Sequence, residues 1–330
     1  MNQLFRCGLA AILLAATAGL AAAQDQPYTV AFIPKGTTHE YWKAVHAGAV
    51  KAQRELAAKG IKVDIIWKGP LREDDRDQQI QVVENFMTRR VSGIVLAPLD
   101  FQALSAPVDN AIRAGIPVVI FDSALKSDKY LSFVATDNHK GGELAAEYLG
   151  RQLGGKGNVI LLRYGVGSAS TEAREAGFLD AITAKFPGIK VVSSDQYAGA
   201  TRETAYQTSQ NLLNRFGRDL NGVFTPNENS TIGMTKALKD LGKAGGKVKM
   251  IGFDTGEQSL IDLKNGDVQG LVVQDPFRMG YLGLLALIQH LRGEPVEKRI
   301  DTGVQMVTPE NMDDPAMKDL VHPPIEKYLN

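Results

Sequence analysis

Two aspartates, Asp122 and Asp254, stand at the ends of similar apolar runs. Each follows a phenylalanine and precedes a hydroxyl residue, Ser123 in the first case and Thr255 in the second. The runs are short and rich in β-branched and aromatic residues, which predicts strands that are buried on both faces. A carboxylate at such a strand end is a candidate acceptor for the hydrogen-bond donors of a ligand.

The segments that precede these runs are also similar. Gly93–Pro98 is echoed by Gly222–Pro226, and about thirty residues separate the glycine from the aspartate in both copies. This weak internal repeat predicts two lobes of one architecture. Because ligands of open α/β sheets bind beyond the carboxyl ends of the strands, we expect Asp122 and Asp254 on opposite walls of one cleft.

Strands and helices are predicted to alternate from Tyr28 to Arg292, which favours parallel sheets with helices on both faces. The fold class is therefore α/β, with two doubly wound parallel-sheet lobes. We predict a lobe of residues 24–136 plus 275–303 and a lobe of residues 137–274 plus 304–330. Three crossings between them would form a hinge rather than a flexible linker.

Composition limits the classes of function. The chain has 330 residues, 44% of them hydrophobic, and 37 basic residues balance 37 acidic ones. This is an ordinary composition for a globular protein, and it shows no basic footprint for nucleic acid.

The N-terminus has the pattern of a signal peptide, residues 1–23. Arg6 precedes an apolar run, and the run ends in Ala21–Ala23, a small-residue cleavage site before Gln24. The run is too short for a comfortable membrane span. Cys7 lies inside this segment with no apolar core before it, so we do not expect it to carry a lipid. The mature protein is expected in the periplasm.

No catalytic constellation is visible. The five histidines form no His-x3-His pair, there is no Gly-x-Ser-x-Gly motif, and Gly165-x-Gly167 lacks the third glycine of a dinucleotide fingerprint. The acidic residues from Glu73 to Asp77 are interrupted by Arg76, as in a solvated helix start. We therefore predict that the protein is not an enzyme and has neither a cofactor nor a metal.

Several stretches, in this order, resemble the ribose-binding-like type I group of periplasmic sugar-binding proteins of ABC transporters. They are Val30–Ile33, Val118–Asp122, Thr136–Asn138 with Gly141 and Gly142, Arg174 with Gly177 and Phe178, Val223–Asn227, Ile251–Asp254, and Gln274. The resemblance covers nearly all of the mature chain. It implies two Rossmann-like lobes, three crossing segments, a sugar in the cleft between them and no catalysis.

The resemblance also implies ligand contacts. Asp122 is similar to the family carboxylate that accepts two sugar hydroxyls, and Arg174 to the cleft arginine. Further polar and aromatic contacts are expected at Asn227, Asp254, Gln274, Tyr41, Trp42 and Phe253. Each has a structural alternative: the aspartates could cap turns, Arg174 could form a surface ion pair, and the aromatics could belong to the core.

Three further predicted contacts depart from the ribose-binding pattern. Ser123 stands where ribose binders have arginine, His39 replaces an asparagine, and Lys35 is similar to a lysine of autoinducer-2-binding relatives. Ala200 stands where ribose binders have an aromatic residue. The ligand is therefore left open between a pentose or hexose and a sugar alcohol or autoinducer-2-like furanose.

Donor and acceptor chemistry agrees with this class of ligand. Sugar hydroxyls both donate and accept, which suits Asp, Arg, Asn and Gln side chains, and the apolar C–H faces of a sugar pack on aromatic rings. The expected partner is an inner-membrane ABC permease, with a chemoreceptor as the alternative, and the protein is expected to be a monomer.

Overall fold

The computed structural model describes residues 26–329 of the protein. The predicted signal peptide, residues 1–23, lies outside the described residues. Among the described residues, no helix has both the length and the apolar character that a membrane crossing requires.

Strands and helices alternate along the chain as predicted. The strands are β1 (Tyr28–Ile33), β2 (Val63–Trp67), β3 (Gly93–Leu96), β4 (Val118–Phe121), β5 (Ser132–Ala135), β6 (Lys156–Leu161), β7 (Gly188–Ser193), β8 (Gly222–Phe224), β9 (Lys249–Phe253), β10 (Gly270–Gln274), β11 (Arg299–Asp301) and β12 (Val304–Val307). The helices are α1 (Glu40–Ala58), α2 (Arg76–Thr88), α3 (Ser105–Arg113), α4 (Asn138–Gln152), α5 (Ala169–Lys185), α6 (Arg202–Phe216), α7 (Glu228–Asp240), α8 (Glu257–Lys264), α9 (Pro276–Leu291), α10 (Lys318–Val321) and α11 (Glu326–Leu329).

The strands form two six-stranded sheets of equivalent topology. The first has the order β2-β1-β3-β4-β5-β11 and the second the order β7-β6-β8-β9-β10-β12. All neighbours are parallel except β12, which runs antiparallel to β10. We call the units built on these sheets the first lobe and the second lobe. The predicted α/β class with two doubly wound lobes is confirmed.

Local geometry repeats at the two aspartates. Asp122 follows β4 with a φ of 61°, and Asp254 follows β9 with a φ of 69°. Each backbone N–H donates to a carbonyl of the next strand, that of Val134 at 3.0 Å and that of Val272 at 2.9 Å. Non-glycine residues with positive φ are uncommon, and they cluster at functional sites. Both copies of the repeat therefore hold their carboxylate on the same uncommon backbone conformation.

Apolar side chains on both faces of each sheet form the cores. The central strands β3, β4, β8 and β10 are buried along their whole length, which explains their continuous apolar sequences. In the second lobe, α4 lies against α5 at two glycines. A Cβ on Gly142 would lie 1.9 Å from the carbonyl oxygen of Arg174, and one on Gly177 would lie 2.0 Å from that of His139.

The chain passes between the sheets after β5, after β10 and after β11. The division into lobes at residues 136, 274 and 303 stays a prediction of the sequence. The assignment of residues 304–330 to the second lobe does not describe the last helix, because α11 packs against α1 of the first lobe. Arg54 of α1 donates to the carbonyls of Lys327 and Tyr328 at 3.1 Å each.

Candidate functional site

A buried ion pair occupies the centre of the cleft. Asp122 Oδ2 lies 3.1 Å from Lys35 Nζ, and both side chains are almost fully buried. Asp122 Oδ1 accepts a hydrogen bond of 2.8 Å from Tyr41 Oη. Burial and the Asp122 carboxylate raise the pKa of Tyr41 well above its usual value, so this hydroxyl stays a donor at neutral pH. A carboxylate has about four acceptor positions, so Asp122 can still accept from a ligand.

Arg174 faces Asp122 from the second lobe, near the start of α5. Its Nε donates to Asn138 Oδ1 at 2.8 Å and its Nη1 to the carbonyl of Pro226 at 2.9 Å. Its guanidinium lies 3.9 Å from the centre of the Phe253 ring. Nη2 is buried without a hydrogen-bond partner. The predicted alternative of a surface ion pair is wrong for Arg174, which is only 2% exposed.

The second aspartate is paired with the amide at the end of β10. Gln274 Nε2 donates to Asp254 Oδ1 at 2.8 Å, while Gln274 Oε1 is buried without a partner. Burial raises the pKa of Asp254, and the nearby Arg174 charge opposes that rise. The pair therefore presents carboxylate and amide oxygens as acceptors to the cleft.

His39 connects the lobes at one side of the cleft. It caps α1 by accepting from the backbone N–H of Tyr41, and its Nε2 lies 3.2 Å from Asn229 Oδ1 in the second lobe. Its Nδ1 is 3.7 Å from Glu228, which also pairs with Arg202 at 3.0 Å. Burial lowers the pKa of His39, but the surrounding carboxylates outweigh it and hold that pKa above its usual value of 6.5. Burial raises the pKa of Glu228.

Glu73 makes a second connection between the lobes. Its carboxylate accepts from Trp42 Nε1 at 2.6 Å in the first lobe and from Tyr164 Oη at 3.0 Å in the second. The prediction that Glu73 belongs to a solvated helix start is wrong, because it lines the cleft cavity.

Further contacts across the cleft hold the lobes together. Lys35 Nζ donates to Ser170 Oγ and the Ser170 backbone N–H donates to Ser123 Oγ, both at 3.1 Å. The backbone N–H of Phe101 donates to the carbonyl of Gly167 at 2.9 Å. The lobes therefore lie in a closed arrangement.

The cleft cavity has a volume of about 40 Å³. Nine predicted residues line it: Lys35, His39, Tyr41, Trp42, Asp122, Arg174, Asn227, Asp254 and Gln274. Their roles as ligand contacts stay a prediction. Asn227 is the N-cap residue of α7, and its side-chain oxygen accepts a hydrogen bond of 3.2 Å from the backbone N–H of Ser230.

Two predicted residues do not line the cavity. Phe253 is fully buried in the second lobe's core, beneath the Arg174 guanidinium. Ser123 is turned toward the second lobe, where its hydroxyl accepts from the Ser170 backbone.

Six lining residues were missed by the sequence reasoning, namely Glu73, Tyr164, Ser168, Ser170, Thr171 and Glu228. The run from Tyr164 to Thr171 contains Gly165-x-Gly167, a glycine spacing that is typical of a tight turn. That turn was the available signal for Ser168 and its neighbours. In residues 26–329, no group of three or more His, Cys, Asp or Glu residues is placed to hold a metal ion.

Comparisons with known proteins agree with this geometry. A family model described as periplasmic binding protein domain matches residues 30–295. The ribose import binding protein RbsB of Bacillus subtilis is 30% identical over 256 residues, which cover 78% of this chain and 80% of that protein.

Two solved structures have the same fold. A carbohydrate transporter solute binding protein from Agrobacterium radiobacter, in complex with D-arabinose, is 37% identical with a TM-score of 0.83, over 90% of this chain and 99% of that chain. An ABC transporter solute binding protein from Agrobacterium vitis, with bound D-fucose, is 37% identical with a TM-score of 0.84, over 89% of this chain and 100% of that chain. The chain therefore belongs to the periplasmic binding protein domain family, and within it to the type I sugar-binding proteins.

Proposed function

We propose that this protein captures one monosaccharide, a pentose or a hexose, in the cleft cavity and delivers it to an inner-membrane ABC permease. The family consists of substrate-binding proteins of transporters rather than enzymes. We propose accordingly that the sugar leaves unchanged, that export by the signal peptide places the protein in the periplasm, and that it works as a monomer.

The observation that carries this proposal is a set of unpartnered polar atoms at one cavity. Arg174 Nη2, Gln274 Oε1 and Ser168 Oγ are buried without hydrogen-bond partners, and all three residues line the cleft cavity. Leaving a buried polar group unsatisfied costs about 1–3 kcal/mol. One is a donor, one an acceptor and one both, so adjacent hydroxyl groups of a sugar satisfy all three.

The size of the cavity indicates how the sugar enters. A water needs roughly 10–15 Å³ of such volume, so a cavity of about 40 Å³ holds about three waters and not a sugar ring. The lobes must part to admit the sugar, and Lys35 must move from Asp122 as sugar hydroxyls replace its ammonium group. Lys35 then remains as a donor to the same hydroxyls.

Closure follows from contacts on both walls. Asp122 and Lys35 belong to the first lobe, and Arg174, Asp254 and Gln274 to the second. Only a ligand that contacts both lobes binds the closed arrangement more tightly than the open one, and so shifts the population toward it. The permease can then distinguish loaded protein by the relative position of the lobes.

A thermal-shift screen tests the proposal. The mature chain is heated with pentoses, hexoses, sugar alcohols and autoinducer-2, each at about 1 mM. A ligand at 100 times its Kd stabilises the folded state by about 2.7 kcal/mol, a rise in Tm of several degrees. We expect at least one monosaccharide to give this rise and calorimetry to confirm one site per chain. A rise with a sugar alcohol or autoinducer-2 alone would replace the monosaccharide by that ligand, and no rise with any of them would contradict the proposal.

A further inference from the structure

A second and larger cavity adjoins the cleft cavity. Its volume is about 450 Å³, and we call it the side pocket. Tyr41, Glu228, Asp254 and Gln274 line both spaces. The polar wall of the proposed sugar site is therefore also one wall of the side pocket.

The rest of the side pocket is mainly apolar. Ala44 of α1, Leu260 and Ile261 of α8, Val273 of β10 and Met312 of the C-terminal segment contribute to its surface. Its remaining charged groups belong to exposed residues such as Glu257 and Lys264, so they form the rim. Burial of apolar ligand surface against such walls is favourable.

The outer wall of the side pocket is fixed at both ends. Val321 is buried in the core of the second lobe, and the chain then runs through Pro323 and Ile325, which line the pocket. It ends in α11, which Arg54 holds against the first lobe and whose Tyr328 ring lies 5.6 Å from that of Phe277. The C-terminal segment therefore forms the outer wall of the side pocket in the closed arrangement of the lobes.

Gln274 marks the boundary between the two spaces. Its Oε1 is buried without a partner and its Nε2 is held by Asp254, so the free acceptor belongs to a residue that lines both cavities. A ligand that occupied both spaces would therefore lie against this amide.

We propose that the side pocket takes the apolar group carried on the anomeric oxygen of a glycoside, while the sugar ring occupies the cleft cavity after Lys35 has moved from Asp122 to enlarge it. This inference rests on the proposed sugar-binding function and extends its substrate class from free sugars to alkyl and aryl glycosides. The volume of about 450 Å³ lies within the range of roughly 300–1,000 Å³ that is usual for small-molecule pockets. A second sugar ring is a poorer occupant, since its hydroxyls need buried partners and the pocket wall beyond the shared residues is mainly apolar.

Matched ligands test the inference by calorimetry with the mature chain. D-ribose, D-arabinose, D-galactose and D-fucose are each compared with their phenyl α- and β-glycosides. For a sugar that binds, we expect one phenyl anomer to bind about tenfold more tightly than the free sugar, a gain of about 1.4 kcal/mol. A gain below about threefold for both anomers of every sugar that binds overturns the inference and leaves the proposed function in place.

Two variants separate the pocket from general effects. Ile261→Asp introduces a charge into the side pocket at a position that is 45% exposed, so the fold tolerates it. We expect it to remove the gain of the phenyl glycoside and to leave the Kd of the free sugar within about twofold. Leu241→Asp makes the same kind of change at a 41% exposed residue outside both cavities and should alter neither Kd. If Ile261→Asp still bound the phenyl glycoside more tightly than the free sugar, the inference would also be overturned. Failure of all free sugars and glycosides to bind would instead count against the proposed function itself.

Discussion

Replacing Asp122 by asparagine tests the proposed chemistry at a single atom. Asparagine preserves the size of the side chain and tolerates the φ of 61° at this position, whereas alanine would be strained there. Asp122→Asn removes the negative charge that faces Lys35 and the hydroxyl groups of the proposed ligand.

The expected loss follows from the strength of charged hydrogen bonds. A hydrogen bond to a charged group contributes roughly 1.5–3 kcal/mol and a neutral one roughly 0.5–1.5 kcal/mol, so each weakens by about 1–1.5 kcal/mol. If Asp122 accepts two sugar hydroxyls, the loss is about 2–3 kcal/mol, which raises the Kd between about 30- and 150-fold.

Calorimetric titration with the tightest ligand from the screen measures this change. Asp109→Asn is the matched control, because Asp109 pairs with Lys129 at the surface and does not line the cleft cavity. The control should bind like the wild type. A Kd for Asp122→Asn within about threefold of the wild-type value, with the Tm preserved, would refute the assignment of Asp122 as a ligand acceptor.

Three further predictions concern the second lobe and the connection between the lobes. Arg174→Lys keeps the charge but loses the planar guanidinium that reaches Asn138. We expect the Kd of the ligand, measured by calorimetry, to rise about tenfold or more. An unchanged Kd would contradict the assigned role of Arg174. Gly142→Ala brings a Cβ within 1.9 Å of the Arg174 carbonyl oxygen, so α4 and α5 must separate. We expect a loss of about 1–3 kcal/mol in the free energy of unfolding. An unchanged Tm would contradict this packing. His39 contributes stability fully below pH 6.5, and the contribution is lost as the pH rises through its raised folded pKa. The Tm advantage of the wild type over His39→Gln should therefore shrink as the pH rises above 6.5, and an advantage that grows with pH would show that the sign is wrong.

Much of the fold could be predicted because the chain repeats itself. The Phe-Asp ends of β4 and β9 are local patterns, and the period of apolar residues fixes the alternation of strands and helices. The equivalence extends to the positive φ of both aspartates, which no residue pattern indicates. The packing of α11 on the first lobe could not be predicted either, because it depends on Arg54, which is distant in the sequence.

The candidate site was predicted less completely than the fold. Residues at the ends of strands were found, because the topology of parallel sheets brings those ends to one edge. Glu73 was missed because neighbouring charges suggested solvation, and its hydrogen bond to Tyr164 exists only when the two lobes meet. Phe253 was expected at the ligand, but the Arg174 guanidinium covers its ring. Sequence position alone does not determine which of two stacked side chains reaches the cavity.

A crystal structure of the protein with the tightest ligand of the screen tests the central claim most directly. The account predicts a sugar between the two lobes, with hydroxyl oxygens within about 3.2 Å of an Asp122 carboxylate oxygen and of Arg174 Nη2. A sugar held by one lobe only, or bound at a site that contacts neither residue, would contradict it.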